Sequence, residues 1–216
     1  MKQNKIRILI ACEESDEVRG RFEAMGFDAW SCDLQPNRNP KAKHYQQDLF
    51  EVINFGWDAM IAFPPCTHLA VSGARHFKVK QEDGRQKEGI DFFMKVINAP
   101  IKHIAVENPI GIMSSVYRKP DQIIQPYYFG DSVTKSTCLW LKNLPKLYHN
   151  KYINLFDNNI SHTDKGEIIT FKSGKRMHSF FANSYGDSKT RSKTFPGIAK
   201  AMSEQWGKYL IEKYKP

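Results

Sequence analysis

The sequence predicts an α/β protein whose core is a doubly wound, mostly parallel β-sheet. Apolar runs of strand length alternate with helical segments through the first half of the chain, a pattern typical of parallel sheets with right-handed crossovers. Reactive or acidic residues follow four of those runs, at Cys12-Glu13, Asp33, Cys66 and Glu107. Ligands of such sheets bind at the carboxyl ends of the strands, so the same pattern predicts where a site lies.

The first half divides into strands separated by helix and loop signals. The first strand is KIRILIA at 5–11, and a helix follows from a cap at Ser15 or Asp16 to Met25, where Gly26 ends it. Four later strands are predicted: FDAWSCDL, a short strand within HYQQDLFEVI, WDAMIAF and IKHIAVEN. A polar loop at 35–44 separates the first two of these, and an exposed loop at 70–83 and a helix from Gly84 to Asn98 separate the last two. These elements supply the predicted sheet and its crossovers.

The second half is less regular and is expected to form an irregular C-terminal part. Short strands are predicted at Thr137–Leu141 and within EIITF at 167–171, and polar loops at 149–165 and 184–194. Pro196 begins a last helix, because proline fits the first helical turn.

The composition is that of a basic globular protein. The 216 residues are 41% hydrophobic and 25% charged, which is enough for the core of a single domain over 1–216. The net charge is +9, and residues 161–216 hold 11 Lys and Arg against 5 Asp and Glu. Such a basic surface favours a polyanionic partner such as nucleic acid, the alternative being a solvated face without a partner.

The cysteines and the apolar runs indicate the cellular compartment in which the protein is expected. Cys12, Cys32, Cys66 and Cys138 form no CxxC pair, so no metal is expected. The first apolar run passes straight into acidic residues, unlike a secretory signal, and no run approaches the ~18 residues of a membrane span. We therefore expect a cytoplasmic protein with free thiols and no membrane partner.

The stretch AFPPCTHL at 62–69 is the first candidate for chemistry. Pro64 and Pro65 have no N–H to give to a sheet, so they end the strand and hold Cys66 on a stiff loop. The thiolate is the reactive form of cysteine, and strand-end positions can favour it. Cys66 is therefore predicted to be a nucleophile, the alternative being a small buried apolar residue.

Glu107 follows a buried strand and precedes Asn108-Pro109, which ends that strand. Burial raises a carboxyl pKa, so the group would hold a proton near neutrality, unless it is a structural carboxylate that caps a helix. A thiolate and a proton donor on adjacent strands suit addition to C6 of cytosine or uracil with protonation at N3. C5 then accepts an electrophile.

Asp33 and Asp48 are the candidates for nucleoside recognition. Asp33 ends the second strand, where a carboxylate binds ribose hydroxyls in dinucleotide-binding folds. Asp48 is a candidate for a neighbouring contact to adenine. The alternative for both is an ordinary turn residue.

The motifs PPC at 64–66 and ENP at 107–109 resemble those of the DNA cytosine-5 methyltransferases. The chain is more closely similar to a compact group of cytosine methyltransferase-like proteins, often carried by phages. The matching segments are ACEESDEVRGRF, AFPPCTHL, AVENPIGIM, IQPYYFGD, TKSTCLWLKNLP and RSKTFPGIAKAM. The resemblance implies a Rossmann-like fold of the S-adenosylmethionine-dependent methyltransferase type, with an extra antiparallel strand, working in the host-cell cytoplasm if phage-encoded.

The resemblance also implies roles. Cys66 would attack C6, Glu107 would engage N3 with Asn108 beside the substrate, and S-adenosyl-L-methionine would donate a methyl group to C5. The cofactor would be bound by Asp33 at the ribose, Asp48 at the adenine amino group, Cys12, Glu13 and Ser15 near the methionine portion, and Pro65 at the pocket wall.

Two departures from the family pattern leave alternatives open. The Gly-rich first loop is replaced by ACEESDEVRG, whose two acids would lie near the methionine carboxylate. A large target-recognition domain is missing, and 142–195 is the candidate for a reduced one. In it Lys189, Arg191 and Lys193 would hold phosphates of duplex or single-stranded DNA. The alternatives are a catalytically degraded module that binds nucleic acid or a protein, and an enzyme acting on free pyrimidine nucleotides.

Overall fold

The computed structural model describes residues 5–149, 164–184, 186–187, 190 and 192–215. Its strands are β1 (Arg7–Ala11), β2 (Asp28–Asp33), β3 (His44–Gln46), β4 (Ala59–Ala62), β5 (His103–Pro109), β6 (Gln122–Ile124), β7 (Thr137–Lys142), β8 (Ile168–Thr170) and β9 (Arg176–His178). Within the described residues, seven of them form one sheet in the order β3-β2-β1-β4-β5-β7-β6, and β8 pairs with β9 in a hairpin.

The sheet is mostly parallel, as the sequence predicts. Strands β1 to β5 run in the same direction, whereas β7 is antiparallel to both of its neighbours, β5 and β6. The carboxyl ends of β1, β2, β4 and β5 therefore lie along one edge of the sheet, where the sequence analysis expects the site.

Helices cover both faces of the sheet. They are α1 (Arg19–Ala24), α2 (Leu49–Val52), α3 (Phe77–Glu82), α4 (Arg85–Ile97), α5 (Met113–Val116), α6 (Ser179–Asn183), α7 (Pro196–Ala201) and α8 (Gly207–Lys213), and a π-helical turn at Met202–Trp206 joins α7 to α8. Because side chains alternate along a strand, Ile8 and Leu9 of β1 belong to separate buried cores. Phe93 of α4 packs in the core of Leu9, while Phe22 of α1 and Trp206 pack in that of Ile8.

The predicted exposed loop at 70–83 is wrong. A 3₁₀ turn at Val71–His76 leads directly into α3. The polar residues that favoured a loop form the outer side of this helix, while Lys80 turns inward and is only 8% exposed. Its Nζ donates to the carbonyl oxygen of Thr67 at 2.6 Å, so α3 supports the loop that follows Cys66.

The first helix also begins later than predicted. Its N-cap is Val18, not Ser15 or Asp16, and the side chain of Val18 makes no capping hydrogen bond. The carboxylate of Glu13 serves instead, because it accepts hydrogen bonds from the backbone N–H groups of Val18 at 2.7 Å and Arg19 at 3.1 Å. Among the described residues, none of the helices has the length and hydropathy that a bilayer crossing requires.

Candidate active site

The chain leaves the sheet at the end of β4 through Pro64 and Pro65 and turns at once. The carbonyl oxygen of Cys66 accepts hydrogen bonds from the amides of Leu69 at 3.0 Å and Ala70 at 2.9 Å. Pro64 is buried, Pro65 is exposed, and Cys66 is half-buried. The predicted nucleophile therefore lies on a closed turn at the carboxyl edge of the sheet.

This turn is bonded to the loop that follows β5. The backbone N–H of Val71 donates to the carbonyl oxygen of Ile110 at 3.0 Å, and Ile112 donates to that of Leu69 at 3.0 Å. The two loops approach so closely at Gly111 that a Cβ there would lie 2.3 Å from the oxygen of Leu69. The position of the Cys66 turn relative to the end of β5 is thereby fixed by backbone contacts.

Asn108 adds a side-chain link between the same two strand ends. It is 1% exposed, and its Nδ2 donates to the carbonyl oxygen of Pro64 at 2.9 Å. The side chain of Asn108 therefore holds the loop that carries Cys66. Its expected place beside the substrate stays a prediction.

Cys66, Glu107 and Lys135 share one electrostatic environment. Burial raises the pKa of the Cys66 thiol, the charge of Glu107 raises it further, and Lys135 opposes both effects. Burial also raises the pKa of Glu107, against the lowering effects of Lys135 and of a hydrogen bond with Thr137. The pairing of β4, β5 and β7 places these three residues at the same edge of the sheet.

The sequence analysis missed Lys135. This residue lies just before β7, and β7 places Thr137 opposite Pro109 at the end of β5. The Nζ of Lys135 also lies 5.6 Å from the ring centroid of Phe195. A basic residue beside a buried strand was the available signal, but the pairing of β7 with β5 was needed to bring it to Glu107.

The predicted nucleoside-binding residues are also brought together. Burial raises the pKa of the Cys12 thiol far above its usual range, and the next causes are the charges of Asp33 and Asp48 and the neighbouring Cys32. Cys12 has φ 59° and its N–H donates to the carbonyl oxygen of Cys32 at 2.7 Å. The first loop therefore adopts a left-handed conformation without a glycine at this position.

Asp33 and Asp48 each make one local hydrogen bond through Oδ1. Asp33 accepts from the N–H of Gln35 at 2.8 Å, and Asp48 accepts from that of Phe50 at 2.8 Å as the N-cap of α2. These bonds orient the carboxylates as in ordinary turns and helix caps. Asp33 and Asp48 therefore also fit the alternative in which each is an ordinary turn residue.

The two acids of the first loop are both satisfied inside the protein. Glu13 caps α1 and accepts a hydrogen bond from Ser15 Oγ at 3.2 Å, and burial raises its pKa to about 7. Glu14 binds Arg38 through both oxygens, at 2.5 and 2.6 Å. The predicted contacts of Glu13 and Ser15 with a cofactor stay predictions, because both side chains already support the loop.

The predicted phosphate-binding loop is described only in part. Lys193 forms an ion pair with Glu17 at 3.1 Å, while Lys189 and Arg191 lie outside the described residues. A shallow cleft against α1, lined by Asp16, Gly20 and Arg38, includes neither Cys66 nor Glu107. In the part of the chain that the structure describes, no three His, Cys, Asp or Glu side chains cluster as metal ligands do.

No protein-family model matches the chain, and no curated protein matches it.

Proposed function

We propose that the protein transfers a methyl group from S-adenosyl-L-methionine to C5 of cytosine in DNA. The observation that carries the proposal is the placement of Cys66 and Glu107 by the adjacent strands β4 and β5, which Asn108 joins through Pro64, with Lys135 on the loop that leads into β7. A nucleophile, a proton donor and a cation are the groups that addition to a pyrimidine ring requires.

Burial raises the pKa of Glu107, which favours the protonated carboxyl that can donate to N3 of the ring. Cys66 loses its proton to solvent and forms a bond to C6, while the electron pair of the C5–C6 double bond is freed for C5. Lys135 favours the thiolate, since its charge lowers the pKa of Cys66. Once C5 carries the methyl group, loss of its proton to solvent re-forms the double bond, Cys66 leaves C6, and the proton on N3 returns to Glu107.

S-adenosylmethionine supplies the electrophilic methyl group when bound. The residues at the ends of β1 and β2 fit it, because the charges of Asp33 and Asp48 converge near Cys12 and carboxylates accept hydrogen bonds from hydroxyl and amino groups. The two acids of the first loop do not oppose its carboxylate as the sequence suggested. Glu14 is paired with Arg38, and Glu13 faces the amides of α1.

The sheet supports the same proposal. The resemblance to the cytosine-5 methyltransferases implies a doubly wound sheet with one extra antiparallel strand, and β7 is such a strand between β5 and β6. This strand also brings Lys135 beside Glu107.

The test is transfer of a radiolabelled methyl group from S-adenosylmethionine to duplex and single-stranded DNA that contains cytosine. We expect incorporation with the full chain and none with Cys66→Ala. Cys138→Ala is the matched control, because Cys138 is a buried thiol on β7 that the mechanism does not use.

Two other outcomes would replace the proposal. Labelling of dCMP or dUMP but not of DNA would identify an enzyme for free pyrimidine nucleotides. No labelling, together with no binding of S-adenosylhomocysteine in calorimetry, would identify a degraded module that only binds, an outcome that the glycine-poor first loop favours.

A further inference from the structure

The hairpin of β8 and β9 is fixed to the loop that precedes β7. Thr134 Oγ1 donates to the carbonyl oxygen of Lys165 at 3.2 Å, and His178 Nε2 lies 2.9 Å from the same oxygen. Gly166 packs on the backbone of Ser132, where a Cβ would lie 2.2 Å from the carbonyl oxygen. The base of the hairpin is therefore tightly attached to this loop.

The same loop leads into β7, which pairs with the strand that carries Glu107. It carries Lys135, the cation that acts on both Cys66 and Glu107. The Nζ of Lys135 lies 5.6 Å from the ring centroid of Phe195, and that ring lies 5.2 Å from Phe180, which follows the hairpin in α6. The hairpin and Lys135 are therefore attached to the same loop, the one that precedes β7.

The far end of the hairpin is exposed and basic. Residues 165–178 contain four Lys and Arg against a single acidic residue. Lys172, Lys175 and Arg176 are all exposed, and Phe171 is 41% exposed beside them. None of these three basic side chains forms an ion pair with a carboxylate in the described segments.

The turn holds these charges in a defined arrangement. The N–H of Phe171 donates to the carbonyl oxygen of Lys175 at 2.9 Å, and the N–H of Gly174 donates to that of Phe171 at 2.9 Å. Gly174 has φ 76°, a conformation that glycine adopts without strain. An exposed aromatic ring on the same turn as several basic residues is a combination that binds nucleic-acid strands.

We propose that this hairpin is a DNA-binding element, in which Lys172, Lys175 and Arg176 bind backbone phosphates and Phe171 packs against the strand. The inference rests on the proposed function, and it specifies polymeric DNA as the substrate. It also moves the phosphate contacts from the predicted loop at 184–194 to a segment whose structure is described.

The length of the hairpin favours polymeric DNA over a free nucleotide as the ligand. A strand rises about 3.3 Å per residue, so the turn lies up to about 20 Å from the anchor at Lys165. That length corresponds to about six base pairs along a duplex. The cations near the turn lie at the end of the hairpin away from Lys165, which fits the phosphates of a polynucleotide that extends along the hairpin better than a single nucleotide.

The experiment measures the affinity of the full chain for a fluorescent cytosine-containing duplex between about 50 and 200 mM salt. We expect Lys172→Gln/Lys175→Gln/Arg176→Gln to bind at least about tenfold more weakly at physiological salt. The slope of log affinity against log salt should fall by about 2 to 3, since each lost phosphate contact removes about one counterion.

The matched control removes equal charge from another surface, in Lys102→Gln/Lys208→Gln/Lys213→Gln. Lys102 precedes β5, at the opposite edge of the sheet from Cys66, and the other two lie on α8. This control should keep the wild-type slope. Equal losses in both variants, wild-type affinity in the hairpin variant, or no DNA binding by the wild type would each overturn the inference. Hairpin-dependent binding without methyl transfer would overturn the proposed function alone.

Discussion

Asn108 and Pro64 are joined across the ends of β5 and β4, where the buried amide Nδ2 donates to the carbonyl oxygen at 2.9 Å. This bond and the backbone bonds around Gly111 hold the Cys66 turn against the strand that carries Glu107. The geometry of the candidate site therefore depends on residues that need not touch a substrate.

Asn108→Ala should lower both the stability and the activity of the protein. Leaving the oxygen of Pro64 without its donor costs about 1–3 kcal/mol of the free energy of unfolding. Methyl transfer should fall by about 100-fold, since small displacements of a nucleophile are costly. Denaturant unfolding and transfer assays measure the two effects. In the control Asn98→Ala, which removes an exposed amide-to-carbonyl bond at the end of α4, activity should be unchanged. Equal activity in both variants would contradict the positioning role.

Gly111→Ala should disrupt the contact between the two loops. Its new Cβ would lie 2.3 Å from the carbonyl oxygen of Leu69, a backbone atom that the flanking hydrogen bonds hold in place. We expect a loss of at least about 2 kcal/mol in the free energy of unfolding. Gly20→Ala is the control, because its Cβ would meet only the side chain of Asp16 at 3.3 Å. Comparable melting temperatures for the two variants would show that the loops separate easily.

Lys135→Met should raise the pKa of both Cys66 and Glu107, since Lys135 lowers both in the wild type. Alkylation of Cys66 by iodoacetamide, followed by peptide mass spectrometry as a function of pH, reports the thiolate. The alkylation profile should move to higher pH in Lys135→Met and stay in place in Lys135→Arg, which keeps the charge. An unchanged alkylation profile in Lys135→Met would show that Lys135 does not affect the Cys66 thiol.

Glu13 should make stability depend on pH. Burial raises its pKa from an ordinary value of 4.5 to about 7, so between these values the folded state binds more protons than the unfolded state. The free energy of unfolding should therefore fall as pH rises through this window, by at most about 3 kcal/mol. Glu13→Gln removes the titration, so urea unfolding of wild type and variant at about pH 5 and pH 8 should show the variant gaining relative stability. A constant difference would contradict the burial argument.

Asp33→Asn and Asp48→Asn should each weaken binding of S-adenosylhomocysteine by roughly 10- to 100-fold. Hydrogen bonds to charged groups contribute about 1.5–3 kcal/mol, and 1.4 kcal/mol is a factor of ten in affinity. Calorimetry measures the change. Asp91→Asn, an exposed carboxylate on α4 that pairs with Lys87, is the control. If Asp33→Asn binds as the wild type does, Asp33 is a turn residue only.

Most of the sheet was predictable because local sequence determines it. The apolar runs that become β1, β4 and the first part of β5 are buried on both faces, so they read as continuous hydrophobic stretches. The sequence located the end of β2 at Asp33 and the end of β4 before Cys66, but the predicted end at Glu107 is wrong, because Asn108 and Pro109 still pair with β7.

What escaped prediction depends on tertiary contacts. Strand β6 has only three residues and one buried side chain, so its pattern carries little signal. The cap of α1 comes from Glu13, five residues before Val18, where no local capping pattern places it. Lys135 becomes part of the site only through the antiparallel pairing of β7 with β5.

The shielding of the Cys66 sulfur bears on how the protein survives oxidants. Peroxides attack the thiolate, and burial raises the pKa of Cys66 and so disfavours that form. Without a bound substrate, the protein should therefore keep the Cys66 sulfur reduced during oxidative stress. The sulfur then remains available for reaction with a pyrimidine ring that displaces water around it.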